Sequence, residues 1–315
     1  MSYRYIVYGL RVLSEIEIPK LRVWQETDSE KEQLIGEQTV LIKYGNIRDD
    51  VVVHMQKTGI REMLKKDEVI LYYEKEAVFA IIKGNQIIVQ LFVSYQPEHI
   101  RALLLSNCLG VIMVQRGIVA IHGGAVVHKK KAIVVTGSSG SGKSTLCQYL
   151  REQGMGFLAD DTVAVATRGE RTIAYPGYPY TKLCKDAALK YGYDLSQLEF
   201  LWEDKEKYAI PFWDTFCKVP VELKAIVMVC PSECENVTIR QISGSAKIQF
   251  FVDSLYCYKI YQALGLDAEL FQNMLKIVSS ISCYVIERPV NGMTVDMQYC
   301  LLMDRLEEKM LCGRK

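Results

Sequence analysis

One nine-residue segment constrains this chain more than any other, Gly137-Ser-Ser-Gly-Ser-Gly-Lys-Ser-Thr145. It fits the pattern G-x-x-x-x-G-K-[ST]. The apolar run Ala132–Thr136 precedes it, and a segment with helical spacing begins at Lys143. A flexible linker does not lie between a buried strand and a helix, so the pattern indicates a loop that wraps around phosphates. The segment therefore predicts nucleoside triphosphate binding in an α/β domain.

Glycine lets the backbone of such a loop fold closely around phosphate groups, so that successive amide hydrogens point inward. The amino end of the following helix adds positive partial charge at the same place. We expect Lys143 to contact the β- and γ-phosphates and Ser144 to offer its hydroxyl to Mg²⁺. The predicted ligands are therefore ATP and Mg²⁺. The predicted nucleotide-binding residues are Gly137, Ser138, Ser139, Gly140, Ser141, Gly142, Lys143, Ser144 and Thr145.

Two adjacent carboxylates, Asp160 and Asp161, follow the apolar run Phe157-Leu-Ala shortly after the predicted helix. A strand in this position is expected to return beside the strand that precedes the glycine-rich loop. Its carboxyl end would then lie near the loop, where ligands of such sheets bind. One carboxylate would bind Mg²⁺ together with Ser144, and the other would accept a proton from an attacking hydroxyl. The pattern leaves open which aspartate does which, and a solvated turn is the alternative.

His122 lies in Ile121-His-Gly-Gly, ahead of the glycine-rich loop. A strand hairpin would place it one strand away from the strand that leads into the loop. A histidine there can hydrogen-bond an aspartate or a phosphate and assist proton transfer. The predicted catalytic residues are therefore Asp160, Asp161, His122 and Lys143. For His122 the alternative is a histidine of the hydrophobic core.

The chain of 315 residues is long enough for two domains. Residues 1–96 contain several short β-prone runs, and residues 77–92 predict a hairpin with Gly84 and Asn85 in its turn. Apolar residues keep helical spacing over residues 98–114. We predict a smaller β-rich domain over residues 1–96, for substrate or partner binding, and a P-loop α/β kinase domain over residues 97–315.

The charge balance argues against nucleic acid and anionic membranes as partners, and the cysteines indicate free thiols. Lysine and arginine number 38 against 37 aspartates and glutamates, so the net charge of +1 provides no global field for nucleic acid or an anionic membrane. The amino terminus shows no secretory signal, and the most apolar stretch, residues 102–121, is interrupted by polar residues and glycines. The ten cysteines lie mostly in apolar runs, which predicts buried free thiols. We expect a cytoplasmic protein without nucleic-acid or membrane partners, and homo-oligomer formation stays open.

Three segments taken together resemble the catalytic domain of the HPr kinase/phosphorylase family. They are Ile121-His-Gly-Gly-Ala-Val-Val, Val134-Val-Thr-Gly-Ser-Ser-Gly-Ser-Gly-Lys-Ser-Thr and Phe157-Leu-Ala-Asp-Asp-Thr-Val. A weaker likeness continues through Tyr175-Pro-Gly-Tyr-Pro and Glu206-Lys-Tyr-Ala-Ile-Pro. This combination is more specific than a glycine-rich loop alone.

The resemblance implies a fold related to ATP-dependent phosphoenolpyruvate carboxykinase and serine phosphorylation on a small protein or peptide. By matched position it implies nucleotide binding at residues 137–145, base and metal contacts at Asp160 and Asp161, and proton movement assisted by His122. The chain lacks the family's downstream Glu-x-Arg-Gly signature, which supports metal binding and the reverse, phosphate-removing reaction. Phosphorylase activity and HPr as the substrate therefore stay open. It is nearer to the HPr-kinase-like relatives of ribosomal peptide pathways, including kinases of lasso-peptide precursors.

The predicted function is transfer of the γ-phosphoryl group of ATP to a serine hydroxyl of a peptide or small protein. Two alternatives stay open at this point. One is a non-catalytic nucleotide-sensing module, and the other is a kinase of a small molecule such as free serine.

Overall fold

The computed structural model describes residues 2–201, 206–265 and 268–306, and over these residues the chain is a mixed α/β protein with two large sheets and a small one. Runs of β-branched and aromatic residues form the strands of the first large sheet. Its strands are β1 (Tyr3–Val7), β2 (Leu10–Ser14), β3 (Arg22–Val23), β4 (Thr39–Tyr44), β5 (Glu62–Lys65), β6 (Glu68–Tyr73), β7 (Ala77–Ile82) and β8 (Gln86–Leu91). Two helices accompany them, α1 (Asp28–Lys31) and α2 (Asp49–Thr58).

The first sheet has the strand order β3-β1-β2-β4-β8-β7-β6-β5. Its β2, β4 and β8 run parallel, and the remaining neighbours are antiparallel. The predicted hairpin is formed by β7 and β8, with positive φ angles at Lys83 and Gly84 in its turn. All strands of this sheet thus lie within residues 3–91, and a separate β-rich domain over residues 1–96 stays a prediction.

A helical segment connects the first sheet to the second. It consists of α3 (Pro97–Leu103), a π-helical turn (Leu104–Cys108) and α4 (Leu109–Gln115). Pro97 occupies the first turn, where a missing N–H costs no hydrogen bond. The helix predicted over residues 98–114 is confirmed, while the π-helical turn has no signature in the sequence. Such turns insert one extra residue and often lie at functional sites.

The remaining residues form the second large sheet, the small sheet and the helices that cover them. The strands are β9 (Val119–His122), β10 (Gly124–His128), β11 (Lys131–Thr136), β12 (Gly156–Ala159), β13 (Thr162–Arg168), β14 (Arg171–Tyr175), β15 (Tyr180–Cys184), β16 (Glu199–Leu201), β17 (Lys207–Pro211), β18 (Val221–Ser232), β19 (Thr238–Ile242) and β20 (Ser282–Pro289). The helices are α5 (Lys143–Glu152), α6 (Lys185–Lys190), α7 (Ala246–Asp253), α8 (Tyr258–Leu264), α9 (Ala268–Ser280) and α10 (Val295–Leu306). The small sheet has the order β15-β17-β16.

The second large sheet has the order β12-β10-β11-β18-β14-β13-β9, and β18 also pairs with β20, which pairs with β19. We expected β12 to lie beside β11, the strand that leads into the glycine-rich loop. That expectation was wrong, because β10 lies between β12 and β11. The cause is the tight turn at Lys129 and Lys130, whose positive φ angles close a β10–β11 hairpin. Two successive antiparallel pairings give β12 the same direction as β11. The carboxyl end of β12 therefore still lies on the side of the glycine-rich loop.

The expectation that a hairpin places β9 one strand away from β11 was also wrong. β9 pairs with β13 in the register Thr162↔His122, and the chain then crosses at Gly123 to begin β10. A second crossing at Asp160 and Asp161 leads from β12 to β13. The two crossings lie side by side, because the Gly123 N–H donates to the carbonyl of Asp161 at 3.1 Å. The register Thr162↔His122 and this contact together place His122 beside the aspartate pair.

Both large sheets contribute to one continuous hydrophobic core, which includes Phe79 of β7, Leu109 of α4 and Ala164 of β13. A second cluster packs α5 and α10 against the opposite face of the second sheet. Alternate residues of β11 point into the two clusters, as expected for a strand that is covered on both faces. The division of the chain into domains over residues 1–96 and 97–315 stays a prediction, because this core contains residues of both.

The cysteines are less buried than their apolar surroundings predict. Of the nine that lie in the described residues, all free, Cys108, Cys147 and Cys283 are buried, three are half-buried and three are exposed. The prediction of mostly buried thiols was wrong for these residues, and Cys312 lies outside them. None of the helices in the described part of the chain combines the length and apolarity that crossing a membrane requires.

The crossing at Gly123 leads to a test of the fold. A Cβ added to Gly123 would lie 2.3 Å from the carbonyl oxygen of Val135, so Gly123→Ala requires the backbone to shift. We expect it to lower the free energy of unfolding by about 3 kcal/mol, the upper range for an overpacked site. The control is Gly169→Ala, which has open space around it and a φ of +61°, and should cost about 1 kcal/mol. Urea unfolding of both variants measures the difference, and equal losses would contradict the packing argument.

Candidate functional site

The glycine-rich loop has a backbone that only glycine adopts easily. Gly137, Gly140 and Gly142 have φ angles of +140°, +79° and +105°. A Cβ on Gly137 would lie 2.5 Å from the carbonyl oxygen of Val229. The last of these glycines is the N-cap of α5, so the free amides of the first turn of that helix face the loop. The conformation matches the predicted anion cradle.

Lys143 lies at the beginning of α5 and folds back over the loop. Its Nζ donates to the carbonyls of Gly137 at 2.8 Å and Ser138 at 2.9 Å. Burial lowers the pKa of Lys143, and the charges of Asp161, Cys147 and Asp160 oppose that shift. The ammonium group is therefore partly desolvated and close to the aspartate pair, a position in which it interacts strongly with an added anion.

Asp160 is held by the strand β15. Its Oδ2 accepts hydrogen bonds from the hydroxyl of Thr181 at 2.6 Å and from the backbone N–H of Lys182 at 2.9 Å. Burial raises the pKa of Asp160, the two hydrogen bonds lower it, and the neighbouring Asp161 raises it further. One oxygen of this carboxylate is thus committed to the protein, and the other is 3.7 Å from the position of a Cβ on Gly124.

Asp161 has a strained backbone. Its φ is +63°, and the N–H of Thr162 donates to the carbonyl of Asp160 at 2.7 Å, which closes a γ-turn around it. Such a conformation costs about 1–3 kcal/mol in a residue other than glycine. The side chain of Asp161 is 34% exposed, and its Oδ1 lies 3.7 Å from Nδ1 of His122. The two carboxylates have different surroundings, because that of Asp160 is hydrogen-bonded to Thr181 and Lys182 and that of Asp161 lies beside His122.

His122 is fixed through its backbone. Its N–H donates to the carbonyl of Ser254 at 2.8 Å, and its own carbonyl accepts from the hydroxyl of Thr136 at 2.7 Å. The ring Nδ1 is 3.1 Å from the carbonyl oxygen of Asp161. The side chain is 39% exposed, so His122 is not a residue of the hydrophobic core. It lies at the aspartate pair although β9 does not pair with β10 or β11.

These groups line one cavity of about 720 Å³, which we call the loop cavity. Its lining brings together most of the residues that the sequence singled out, namely His122, Ser139, Gly140, Gly142, Lys143, Ser144, Thr145, Asp160 and Asp161. Gly137, Ser138 and Ser141 lie outside the lining. The first two hold Lys143 through their carbonyls, and Ser141 is 1% exposed with a hydroxyl that finds no partner among the described residues.

The donors around the loop cavity fit a nucleotide with Mg²⁺. The glycine cradle, the amino end of α5 and Lys143 supply positive charge for phosphates. Asp160, Asp161 and the hydroxyl of Ser144 supply oxygen ligands, and one or two carboxylates together with phosphate oxygens are what Mg²⁺ sites of this kind use. No group of three or more His, Cys, Asp or Glu side chains with metal-site spacing occurs in the described residues.

Several residues of the site escaped the analysis of the sequence. Lys182 and Lys207 line the loop cavity from β15 and β17, and Thr181 holds Asp160. Lys182 and Lys207 lie in or next to the two segments of weaker family likeness, which was the available signal. Arg288, at the end of β20, donates from Nε to the carbonyl of Ser141 at 2.8 Å and places a cation beside Gly142. Nothing near Arg288 in the sequence indicated this contact.

Comparison with known proteins adds little to this geometry. No protein-family model matches the chain, and no curated protein matches it. Among solved structures, the Hpr(Ser) kinase/phosphatase from Coxiella burnetii is similar with a TM-score of 0.33 and 14% sequence identity, over 60% of this chain and 98% of that one. A likeness with this TM-score carries no conclusion about fold or activity, which depend here on the chain's own residues.

The surroundings of Asp160 predict a gain of stability on substitution. Because burial raises its pKa, the folded protein binds the proton of Asp160 more tightly than the unfolded chain. Ionisation of Asp160 therefore lowers the free energy of unfolding as the pH rises from about 3.9, the ordinary pKa of an aspartate, through the higher pKa that Asp160 has in the folded protein. Asp160→Asn keeps an acceptor for Thr181 and Lys182 but carries no charge. We expect it to raise the melting temperature of the ligand-free protein at pH 7.5 by ~2 °C, and by less near pH 4.

The control for this measurement is Asp67→Asn, in the exposed turn between β5 and β6. Its melting temperature should follow that of the unsubstituted protein at both pH values. A lower melting temperature of Asp160→Asn at pH 7.5 would show that the ionised carboxylate stabilises the fold.

Proposed function

We propose that this protein is an ATP-dependent kinase that transfers the γ-phosphoryl group of ATP to a serine hydroxyl of a peptide or small protein. The observation that carries the proposal is the composition of the loop cavity. A glycine-rich phosphate cradle with its lysine and two carboxylates in unlike surroundings line the same 720 Å³ space. Phosphoryl transfer needs positioned positive charge on the phosphates and an acceptor for the proton of the attacking hydroxyl. The loop cavity offers both.

Binding of the triphosphate falls to residues 137–145. The loop amides and the first turn of α5 would hold phosphate oxygens, and Lys143 would exchange its two carbonyl partners for the β- and γ-phosphates. Ser144 and Asp160 would hold Mg²⁺, since one oxygen of Asp160 is occupied by Thr181 and Lys182 and the other remains for the cavity. Bound Mg²⁺ would neutralise charge on the phosphates.

We assign the role of general base to Asp161. Its carboxylate lines the loop cavity and also the space on the far side of the aspartate pair, whereas Asp160 lines the loop cavity alone. As the serine oxygen forms its bond to the γ-phosphorus, the carboxylate of Asp161 accepts the hydroxyl proton, and the bond to the β–γ bridging oxygen breaks with its electron pair on ADP. His122, next to Asp161 through Nδ1, would orient that carboxylate.

This proposal includes ATP, Mg²⁺ and a serine acceptor as ligands. Cytoplasmic location, the absence of nucleic-acid and membrane partners and homo-oligomer formation stay predictions. A nucleotide-sensing module without transfer activity would need the cradle but neither the strained turn at Asp161 nor the contact between Asp161 and His122. That difference favours the kinase.

Substitution of Lys143 tests the phosphate cradle. Lys143→Ala removes the cation of the cradle and should weaken Mg-ATP binding by about 10–100-fold, the value of a hydrogen bond to a charged group. Lys131→Ala is the matched control, because Lys131 is exposed and pairs with Glu222 away from the loop. Calorimetric titration with the non-hydrolysable β,γ-imido analogue of ATP and Mg²⁺ measures both affinities. Unchanged affinity of Lys143→Ala would remove the basis for a nucleotide site.

Substitution of the two aspartates tests the division of roles. Asp161→Asn should lower single-turnover transfer to a degenerate serine peptide library by at least ~10²-fold with unchanged Mg-ATP affinity, because a general base acts only in the transfer step. Asp160→Asn should also lower transfer but should recover part of it at higher Mg²⁺ concentration. Near-normal transfer by both variants would refute the catalytic roles of the two aspartates, and the reverse Mg²⁺ dependence would exchange those roles. Absence of transfer by the unsubstituted protein would refute the kinase assignment.

A further inference from the structure

A second cavity, of about 730 Å³, meets the loop cavity at the aspartate pair. Asp161, Lys182 and Lys207 line both cavities, and the remaining walls of the second cavity come from the first sheet and from the helical segment that follows it. Its position places it on the side of Asp161 that faces away from the glycine-rich loop. A group that enters from the second cavity therefore meets the carboxylate that we assign as the base.

Hydrogen bonds hold the wall formed by the helical segment. Nδ1 of His99 lies within hydrogen-bond distance of Oε1 of Glu76, at 2.9 Å, with side chains only 11% and 14% exposed, and the backbone N–H of Gln96 donates to Glu76 at 2.8 Å. The π-helical turn adds Asn107, which donates to the hydroxyl of Tyr73. These contacts fix the wall before any ligand binds, which lowers the entropic cost of recognition.

The same wall is connected to the catalytic groups. The hydroxyl of Tyr256 donates to Oδ1 of Asn107 at 3.3 Å, and the Tyr256 ring lies 6.2 Å from the His122 ring, centroid to centroid. A chain of contacts thus leads from Tyr73 through Asn107 and Tyr256 to His122 at the aspartate pair. The wall of the second cavity is therefore connected to the wall of the loop cavity by direct side-chain contacts.

The part of the wall that comes from the first sheet carries charges of both signs. Arg61 and Glu62 precede and begin β5, while Glu74 and Lys75 follow β6. All four are exposed, and none of them forms an ion pair within the described part of the chain. A ligand that carries both an acidic and a basic group can pair with such a wall, whereas a purely anionic or cationic ligand meets like charge.

We propose that the second cavity is the acceptor site and that it takes a peptide segment of several residues in which charged residues of both signs flank the serine. The proposal depends on the kinase function above. The volume favours a peptide over free serine, because cavities of 300–1,000 Å³ enclose drug-sized ligands and are far larger than one small amino acid. The serine hydroxyl would lie at Asp161, where the two cavities join.

A peptide array with ATP tests this site. The probe is a positional library of nine-residue peptides with a central serine, in which each flanking position is acidic, basic or neutral in turn. Arg61→Glu should lower transfer to peptides with acidic flanks by about 5-fold relative to basic ones, and Glu62→Lys should shift the preference the opposite way, since an exposed ion pair contributes up to about 1 kcal/mol. Lys65→Glu, an exposed position on β5 outside the cavity wall, is the control and should keep the original preference.

Three results separate this proposal from the proposed function. Transfer to library peptides with equal preferences in Arg61→Glu, Glu62→Lys and Lys65→Glu would overturn the acceptor site and leave the kinase intact. A higher kcat/KM for free L-serine than for every peptide would overturn the peptide class. No transfer to any serine acceptor, with Mg-ATP bound normally, would overturn the kinase and the acceptor site together. Melting temperatures and Mg-ATP affinities of the three variants should equal those of the unsubstituted protein.

Discussion

The backbone hydrogen bond from Gly123 to the carbonyl of Asp161 is the contact on which the site depends. It joins the two places where the chain crosses the second sheet, from β9 to β10 at Gly123 and from β12 to β13 at Asp160 and Asp161. The register Thr162↔His122 places His122 next to Asp161, and this hydrogen bond holds the start of β10 at the same point, although β9 and β12 are distant in the strand order. The absence of a side chain on Gly123 is what permits the approach, because Val135 already occupies the space where a Cβ would lie. Close packing of backbone at this point therefore determines the positions of the acid–base groups.

Much of the chemistry of the site is obtained at a cost to stability. Asp161 has a φ of +63°, burial raises the pKa of Asp160, and burial lowers the pKa of Lys143. A folded protein keeps such unfavourable states only where the surrounding contacts hold the residues in place. Here those contacts are the hydrogen bonds from Thr181 and Lys182 and the two core clusters that enclose β11. Groups held this way are poised to change their interactions when an anion or a hydroxyl arrives.

The parts of the site that the sequence predicted are those with local causes. The glycine-rich loop and α5 follow from neighbouring residues, because the positive φ angles and the helix start are encoded within residues 137–145. The proximity of the aspartates to the loop was predicted for a partly wrong reason: the direction of β12 mattered, and its immediate neighbour did not. The pairing of β9 with β13, the contact of Thr181 with Asp160 and the capping of the loop by Arg288 depend on packing between distant segments, which leaves no periodic pattern in the sequence.

The first sheet contributes to the site as well as to the core. Tyr8, at the tip of the β1–β2 hairpin, is fully buried, its N–H donates to the carbonyl of Pro176 at 2.7 Å, and its ring packs edge-on against that of Tyr178. The segment it contacts continues directly into β15, whose Thr181 and Lys182 hold the carboxylate of Asp160. On its other side, the same sheet provides the charged wall of the second cavity. The first sheet thus contacts the segment that leads to the residues holding Asp160, and it lines the cavity that Asp161 also lines. The surroundings of the two aspartates therefore depend on both large sheets.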